Sequence, residues 1–239
     1  MPRAFLVATA LVVFFALIPA CSAQKDADYE GEPLVVLRGN VVLGADAIPP
    51  AVHVMLGWDN FTRQGDIVSS EAATVRGSFP ARFRLDVLRP PEPHVFNDFG
   101  HQGLHPNEVP LAVANIVALE TPGPQGPLDS TAIGIVEDYV LVYMPEPVRP
   151  NTATANVLHG TLSQGFHLMK VVRFSPEEKQ AMLAEREACY RTRAGEDNWA
   201  VRVACGSDYI YDELHEVPIG TEVTLKLAAG KSLDWPNYH

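Results

Sequence analysis

The densest group of residues that could carry chemistry is a histidine-rich segment between residues 94 and 108. Its members are three histidines and two carboxylates: His94, Asp98, His101, His105 and Glu108. Imidazoles and carboxylates are ligands that zinc accepts. Gly103 and Pro106 disfavour the helix that would align the last two histidines. We therefore expect a solvated loop that binds no metal. A secreted hydrolase or metal-binding protein using this loop is the alternative.

The other candidate catalytic groups lack a supporting motif. Ser78, Ser163 and Ser207 lie beside or near glycines, but none is in a G-x-S-x-G elbow, and the chain has no P-loop or dinucleotide fingerprint. Glu137 and Asp138 are adjacent carboxylates in an apolar strand, where neighbours point to opposite faces. A β-bulge or a sheet edge explains them better than acid–base chemistry does. We predict a protein that is not an enzyme and uses no cofactor.

An aromatic and acidic segment at residues 208–216 is the preferred contact site for a protein partner. Tyr209, Tyr211 and Asp212 are its candidate contact residues, because tyrosine is enriched in interfaces. The alternative is a loop that packs both tyrosines onto the core, since tyrosine is often partly buried.

The N-terminus has the parts of a secretory signal. Met1-Pro2-Arg3 is followed by an apolar run from Ala4 to Ala20 and by small residues around Cys21. The run is close to the lower length limit of a transmembrane helix and no basic cluster follows it, which disfavours a permanent span. We predict a signal peptide at residues 1–20 and a polar tether at 21–32.

The end of this signal, Leu17-Ile18-Pro19-Ala20-Cys21, resembles the lipobox of bacterial lipoproteins. Ile18 occupies the aliphatic position and Ala20 the small one. The resemblance implies that Cys21 becomes the first mature residue and carries a diacylglycerol thioether and an N-acyl chain. Ordinary cleavage after Ala20 or Ala23 is the alternative, because small residues suit both cuts.

The same resemblance and the charge of the chain predict where the protein resides. Ser22 follows the cysteine where Asp would retain a lipoprotein in the inner membrane, which implies the outer membrane, facing the periplasm or the cell surface. The net charge is −11, and loss of residues 1–20 removes Arg3 and no acid, which makes it −12. This excess argues against nucleic acid and anionic lipid as partners. Membrane attachment must come from the lipid at Cys21.

The cysteine count predicts one disulfide. The chain has three cysteines, and acylation of Cys21 leaves Cys189 and Cys205 to pair in an oxidising compartment. The chain-entropy account credits a loop of about 16 residues with roughly 3 kcal/mol. Two unpaired buried thiols are the alternative.

Residues 33–239 have the pattern of a single β-rich domain. Residues 79–88 alternate apolar and polar side chains, as a half-buried antiparallel strand does. Roughly seven to nine such runs, separated by Gly and Pro, indicate an antiparallel β-sandwich of the transthyretin or immunoglobulin type. The runs lie at 33–43, 51–58, 66–75, 79–88, 110–119, 132–144, 165–174 and 221–227.

One helix is predicted as an insertion at residues 175–194. Ser175 can cap it, Pro176 suits its first position, and Glu178 completes a capping box. Gly195 can close it. Because Cys189 falls in its last turns, the predicted disulfide would attach the helix to the segment around Cys205.

A wider resemblance rests on Leu37-Arg38-Gly39-Asn40-Val41-Val42, the turn Ile48-Pro49-Pro50 and residues 79–87. These segments resemble uncharacterised envelope lipoproteins of myxobacteria and, more distantly, the small β-sandwich lipoproteins of the type III secretion pilotin class. The resemblance implies a non-catalytic envelope lipoprotein with a binding or structural role, and another envelope protein as a candidate partner.

Overall fold

A computed structural model describes residues 31–44, 51–58, 67–68, 71–96, 109–123, 131–150, 160–195 and 212–228, and the positions 152, 154, 155, 158, 201, 204, 205 and 233. The predicted signal peptide, the lipobox and residues 21–30 of the tether lie outside the described residues, so they remain predictions. Among the described residues, no helix is both long enough and apolar enough to cross a membrane.

Within the described residues, ten strands join in one β-sheet and a helix follows the eighth strand. The prediction of a mainly β protein is therefore confirmed. The elements are β1 (Val35–Leu43), β2 (Ala51–Trp58), β3 (Ile67–Val68), β4 (Ala73–Arg76), β5 (Ala81–Val87), β6 (Ala112–Leu119), β7 (Gly134–Met144), β8 (Gly165–Val172), helix α1 (Pro176–Thr192), β9 (Glu213–Val217) and β10 (Val223–Leu227), with a 3-10 turn at Pro93–Val95.

The sheet is nearly closed, and two of its strands change partners along their length. Strand β7 pairs with β10 at Gly134 and Ile135, and with β8 from Tyr139 to Met144. In the same way β2 pairs with β4 in its first half and with β3 at its end. The order therefore runs β5-β1-β10-β7-β6-β2-β4, and β4 and β5 at its two ends contact each other.

The antiparallel part of the fold prediction needs a correction, because the sheet is mixed. Residues Gly39–Leu43 of β1 run parallel to Val223–Leu227 of β10. Alternation of apolar and polar side chains reports only which face of a strand is buried. It carries no information about the direction of a partner that lies far along the chain. A sandwich of the transthyretin or immunoglobulin type is not confirmed.

The burial pattern of the strands agrees with the sequence. In β5, Phe83, Leu85 and Val87 are buried while Arg82 and Arg84 are exposed. All eight residues of β6 are buried. Its even-numbered residues belong to the main core enclosed by the sheet, and its odd-numbered residues other than Asn115 contact smaller cores on the opposite face. Strand β6 therefore lies between two apolar layers.

The two carboxylates in β7 lie at a bulge. Asn115 of β6 is opposite Val140, but Val117 is opposite Ile135, so extra residues accumulate in β7 around Glu137 and Asp138. This is also where β7 exchanges β10 for β8 as its partner. The prediction was that a bulge or an edge position explains these carboxylates, and the bulge is confirmed.

Helix α1 begins at the predicted capping box. The backbone amide of Glu178 donates to Ser175 Oγ at 3.2 Å, and the Ser175 amide donates to Glu178 Oε2 at 2.8 Å. Gly195, at a φ of 101°, follows the last turn. The helix has 17 residues, and it begins and ends close to the predicted bounds.

The capping box predicts a pH dependence at the start of the helix. The hydrogen bond from the backbone amide of Ser175, and after it the hydrogen bond with the Ser175 hydroxyl, lower the pKa of Glu178 below its usual value. A carboxylate with a lowered pKa stabilises the fold above its unfolded pKa, and this contribution disappears as the pH falls through the folded pKa. First-turn amides should therefore lose protection in acid.

We expect Ser175→Ala to accelerate hydrogen exchange of the first-turn amides about fivefold, since losing an N-cap costs about 1 kcal/mol. Glu178→Gln should abolish the loss of first-turn protection that the native protein shows in acid. Glu177→Gln is the control, because Glu177 is acidic and in the same turn but takes no part in the capping box. Equal effects of the two Glu→Gln changes, measured by NMR, would count against this account.

The body of α1 has little contact with the core. None of its residues is buried, and Leu183 is 41% exposed. One face is partly covered, at Lys179, Met182, Arg186, Cys189 and Tyr190. Tertiary packing therefore stabilises this helix much less than it stabilises the strands.

An ion pair and a disulfide near opposite ends attach α1 to the domain. Lys179 Nζ lies 3.7 Å from Oδ1 of the buried Asp212. At the other end Cys189 and Cys205 form a disulfide with their α-carbons 5.7 Å apart, inside the usual range. The predicted disulfide is confirmed.

Candidate functional site

A groove lies where β8, the turn between β9 and β10, and the start of β1 meet. It consists of two adjoining pockets with cavity volumes of about 320 and 380 Å³. Phe166 and Ile219 line both pockets. His167 and Glu216 line the first, and Leu34 lines the second. We call this feature the Phe166 groove.

The floor of the Phe166 groove belongs to a cluster of aromatic rings. The ring centroid of Phe166 is 4.8 Å from that of Tyr143 on β7 and 6.5 Å from that of Trp58 on β2. Tyr143 in turn stacks on Phe96 at 6.1 Å. Tilted and stacked arrangements at these distances are the ones that aromatic pairs prefer. They position Phe166 as an apolar surface with one side open to the groove.

His167 is buried beneath the groove, where its ring is hydrogen-bonded to two other segments. It is 7% exposed, its Nε2 is 2.8 Å from the carbonyl oxygen of Ser163, and its Nδ1 is 2.6 Å from Glu216 Oε1. A carbonyl can only accept, so Nε2 carries a hydrogen and donates it. Because the carboxylate engages Nδ1, neither ring nitrogen is available as a general base. The residue joins the loop before β8 to strand β9.

The rim of the groove is more apolar than the acidic composition of the chain suggests. Leu34 is 55% exposed and Ile219 is 39% exposed. Among the described residues, the charged ones that line the groove are Arg38 and Glu216, and Glu216 is engaged with His167. The part of the lining that the structure describes holds no nucleophile paired with a base. Its chemistry suits contact with an apolar surface.

The histidine loop is described only at its start. His94 Nδ1 lies 3.1 Å from Glu92 Oε2, whereas Asp98, His101, His105 and Glu108 lie outside the described residues. Within the part of the chain that the structure describes, no three metal-ligating side chains are grouped. The absence of a metal at this loop therefore stays a prediction.

We expect purified protein to contain no stoichiometric metal and to melt at the same temperature with and without a chelator. A structural zinc would contribute a large share of the folding free energy, so its removal would be conspicuous in a thermal melt. Elemental analysis and calorimetry check this. A stoichiometric metal, with a melting temperature that a chelator lowers by several degrees, would favour the hydrolase or metal-binding alternative.

The aromatic and acidic segment is also described only in part. Asp212 is 4% exposed, with its Oδ2 4.0 Å from Arg173 Nε and its Oδ1 3.7 Å from Lys179 Nζ. Its carboxylate therefore lies in an internal cluster of charges. Tyr209 and Tyr211 lie outside the described residues, and the role of this segment in binding a partner remains a prediction.

Sequence reasoning did not identify the Phe166 groove. Phe166 and His167 belong to a predicted strand with no motif around them, and Glu216 is 49 residues away from His167. Only the antiparallel pairing of β8 with β9, which sets Leu168 opposite Val217, brings the pair together. The exposed Leu34 and Ile219 had no local signal either, because isolated surface leucines and isoleucines are common.

Comparisons with known protein families, with curated proteins and with solved structures found no match for this chain.

Proposed function

We propose that this protein is a non-catalytic lipoprotein of the bacterial cell envelope, anchored through lipid on Cys21 at the outer membrane. The observation that carries the proposal is the disulfide. It accounts for two of the three cysteines, Cys189 and Cys205, and such bonds persist outside the cytosol. The remaining cysteine is the one that directly follows the apolar N-terminal run.

The anchor would hold the domain close to the bilayer. Residues 21–32 are polar, and at about 3.3 Å per residue they reach at most about 40 Å. With a mature charge of −12, one unit below the −11 of the whole chain, the surface has no electrostatic attraction to anionic lipid. Two or more acyl chains hold a protein firmly without such attraction.

The role in the envelope that we propose is binding or structural. The Phe166 groove combines an apolar floor with a rim that has few charges, and His167 is engaged at both ring nitrogens. A layered sandwich is part of the same proposal, supported by the apolar clusters on the two faces of β6. Such a domain presents a surface to another envelope component rather than chemistry to a substrate.

We expect Cys21→Ser to move the protein from the membrane fraction to the soluble envelope fraction. The change removes the only acylation site that the proposal contains, and the acidic domain has no electrostatic attraction to anionic lipid. The measurement is fractionation of cells that express the whole chain, together with the mass of the mature N-terminus. Acylated Cys21 at that terminus supports the proposal.

The matched control is Ser22→Asp, which should keep the protein acylated but shift it towards the inner membrane, as the resemblance to sorted lipoproteins implies. A Cys21→Ser protein still tightly held by the membrane would contradict the proposal. So would an unacylated native terminus at Cys21 or Gln24, which ordinary cleavage after Ala20 or Ala23 produces.

A further inference from the structure

We propose that the rim of the Phe166 groove, formed by Leu34 and Ile219, is the face of the domain that rests on the lipid surface. Both side chains would enter the interfacial layer of the bilayer. This inference rests on the proposed lipid anchor and adds an orientation to it.

The first observation is where the exposed apolar side chains lie. Four large hydrophobic residues among those described are exposed: Leu34, Leu43, Leu183 and Ile219. Single exposed hydrophobic residues are ordinary on a protein surface. Leu34 and Ile219, however, line one pocket together with Phe166, so they form a local apolar surface.

The second observation is the path of the chain. Leu34 follows Cys21 by 13 positions in the sequence, and its amide donates to the Val87 carbonyl at 2.9 Å, which holds it against β5. The predicted tether therefore joins the domain at the rim of the Phe166 groove. An acylated Cys21 would hold this end of the domain within about 40 Å of the bilayer.

The area and the charge of the rim favour lipid over a protein partner. A stable protein interface buries about 800 Å² on each partner, far more than two partly exposed side chains supply. An anchored domain needs much less, because the anchor already supplies a high local concentration of membrane. An acidic protein also approaches a bilayer most easily by a face with few charges, and Glu216 in this groove is engaged with His167.

The experiment compares fluorescent labels at three positions in the acylated protein. Leu34→Cys and Ile219→Cys test the rim, and Leu43→Cys is the matched control. Leu43 is as exposed as Ile219, at 39%, but lies at the other end of β1, about 30 Å from Leu34. Each variant receives an environment-sensitive dye, and the protein is reconstituted in phosphatidylcholine vesicles with and without a lipid that carries a quencher.

We expect the labels at positions 34 and 219 to shift their emission to shorter wavelength on reconstitution. Lipid-borne quencher should quench them at least about twofold more than the label at position 43, since interfacial side chains sit within 5–10 Å of the boundary between headgroups and acyl chains. Circular dichroism of each variant should match the native spectrum, because these three side chains lie at the surface.

The outcomes separate this inference from the proposed function. If the protein floats with the vesicles but the three labels respond alike, the anchor stands and the orientation is overturned. If the rim labels respond only when envelope proteins are added, the surface binds protein and the lipid assignment is likewise overturned. If the protein carries no acyl chain and does not float, the proposed function itself fails.

Discussion

Replacing both Cys189 and Cys205 with serine is expected to melt helix α1 while the sheet stays folded. The helix has no buried residue, and the ion pair of Lys179 with Asp212 is near the opposite end. The helix has 17 residues, little more than the roughly 12–15 below which an isolated helix is marginal in water, and most helical stability in proteins comes from tertiary packing. The disulfide closes a loop of 16 residues, for which the chain-entropy account gives roughly 3 kcal/mol.

Hydrogen exchange measured by NMR distinguishes local unfolding of α1 from unfolding of the whole domain. In the double serine variant the amides of α1 should exchange as in an unstructured peptide, whereas those of β6 and β7 should keep their native protection. Both proteins are best compared with Cys21→Ser as background, which removes the proposed acylation site and leaves the disulfide unchanged. Native protection of α1 in the variant, or loss of protection across the whole domain, would contradict the expectation.

Gly39→Ala is expected to destabilise the whole domain by about 3 kcal/mol, the upper part of the usual range for overpacking. A Cβ at this position would overlap the carbonyl oxygen of Val223 and lie 2.8 Å from Cε1 of Phe83. The backbone of β10 cannot move away without breaking its parallel pairing with β1. Because that pairing helps to close the sheet, the effect should extend beyond the site.

Urea unfolding checks this result. The midpoint should fall while the slope of the unfolding free energy against urea stays the same, since the native fold is retained. Gly160→Ala is the control, because a Cβ there meets no atom within 4 Å, and we expect a change within about 0.5 kcal/mol. Similar midpoints for the two variants would show that the approach of β1 to β10 is not tight.

Local physical rules were sufficient for several elements. The alternation in residues 79–88 predicted which side chains of β5 are buried, because successive residues in a strand face opposite sides. The capping box at Ser175 predicted the start of α1, because its hydrogen bonds join residues three positions apart. The pairing of Cys189 with Cys205 followed from a count of three cysteines, once the first was assigned to lipid.

The features that need two distant segments were decided only by the tertiary structure. The parallel pairing of β1 with β10 joins residues more than 180 positions apart, and neither strand carries a signal for the direction of its partner. The same holds for the change of partners along β7 and for the contact of His167 with Glu216. The Phe166 groove exists because Leu34, Phe166 and Ile219, from three separate parts of the chain, line one pocket. Local pattern reports how each segment folds and which face it buries, whereas the choice of neighbours depends on how all the apolar faces pack together.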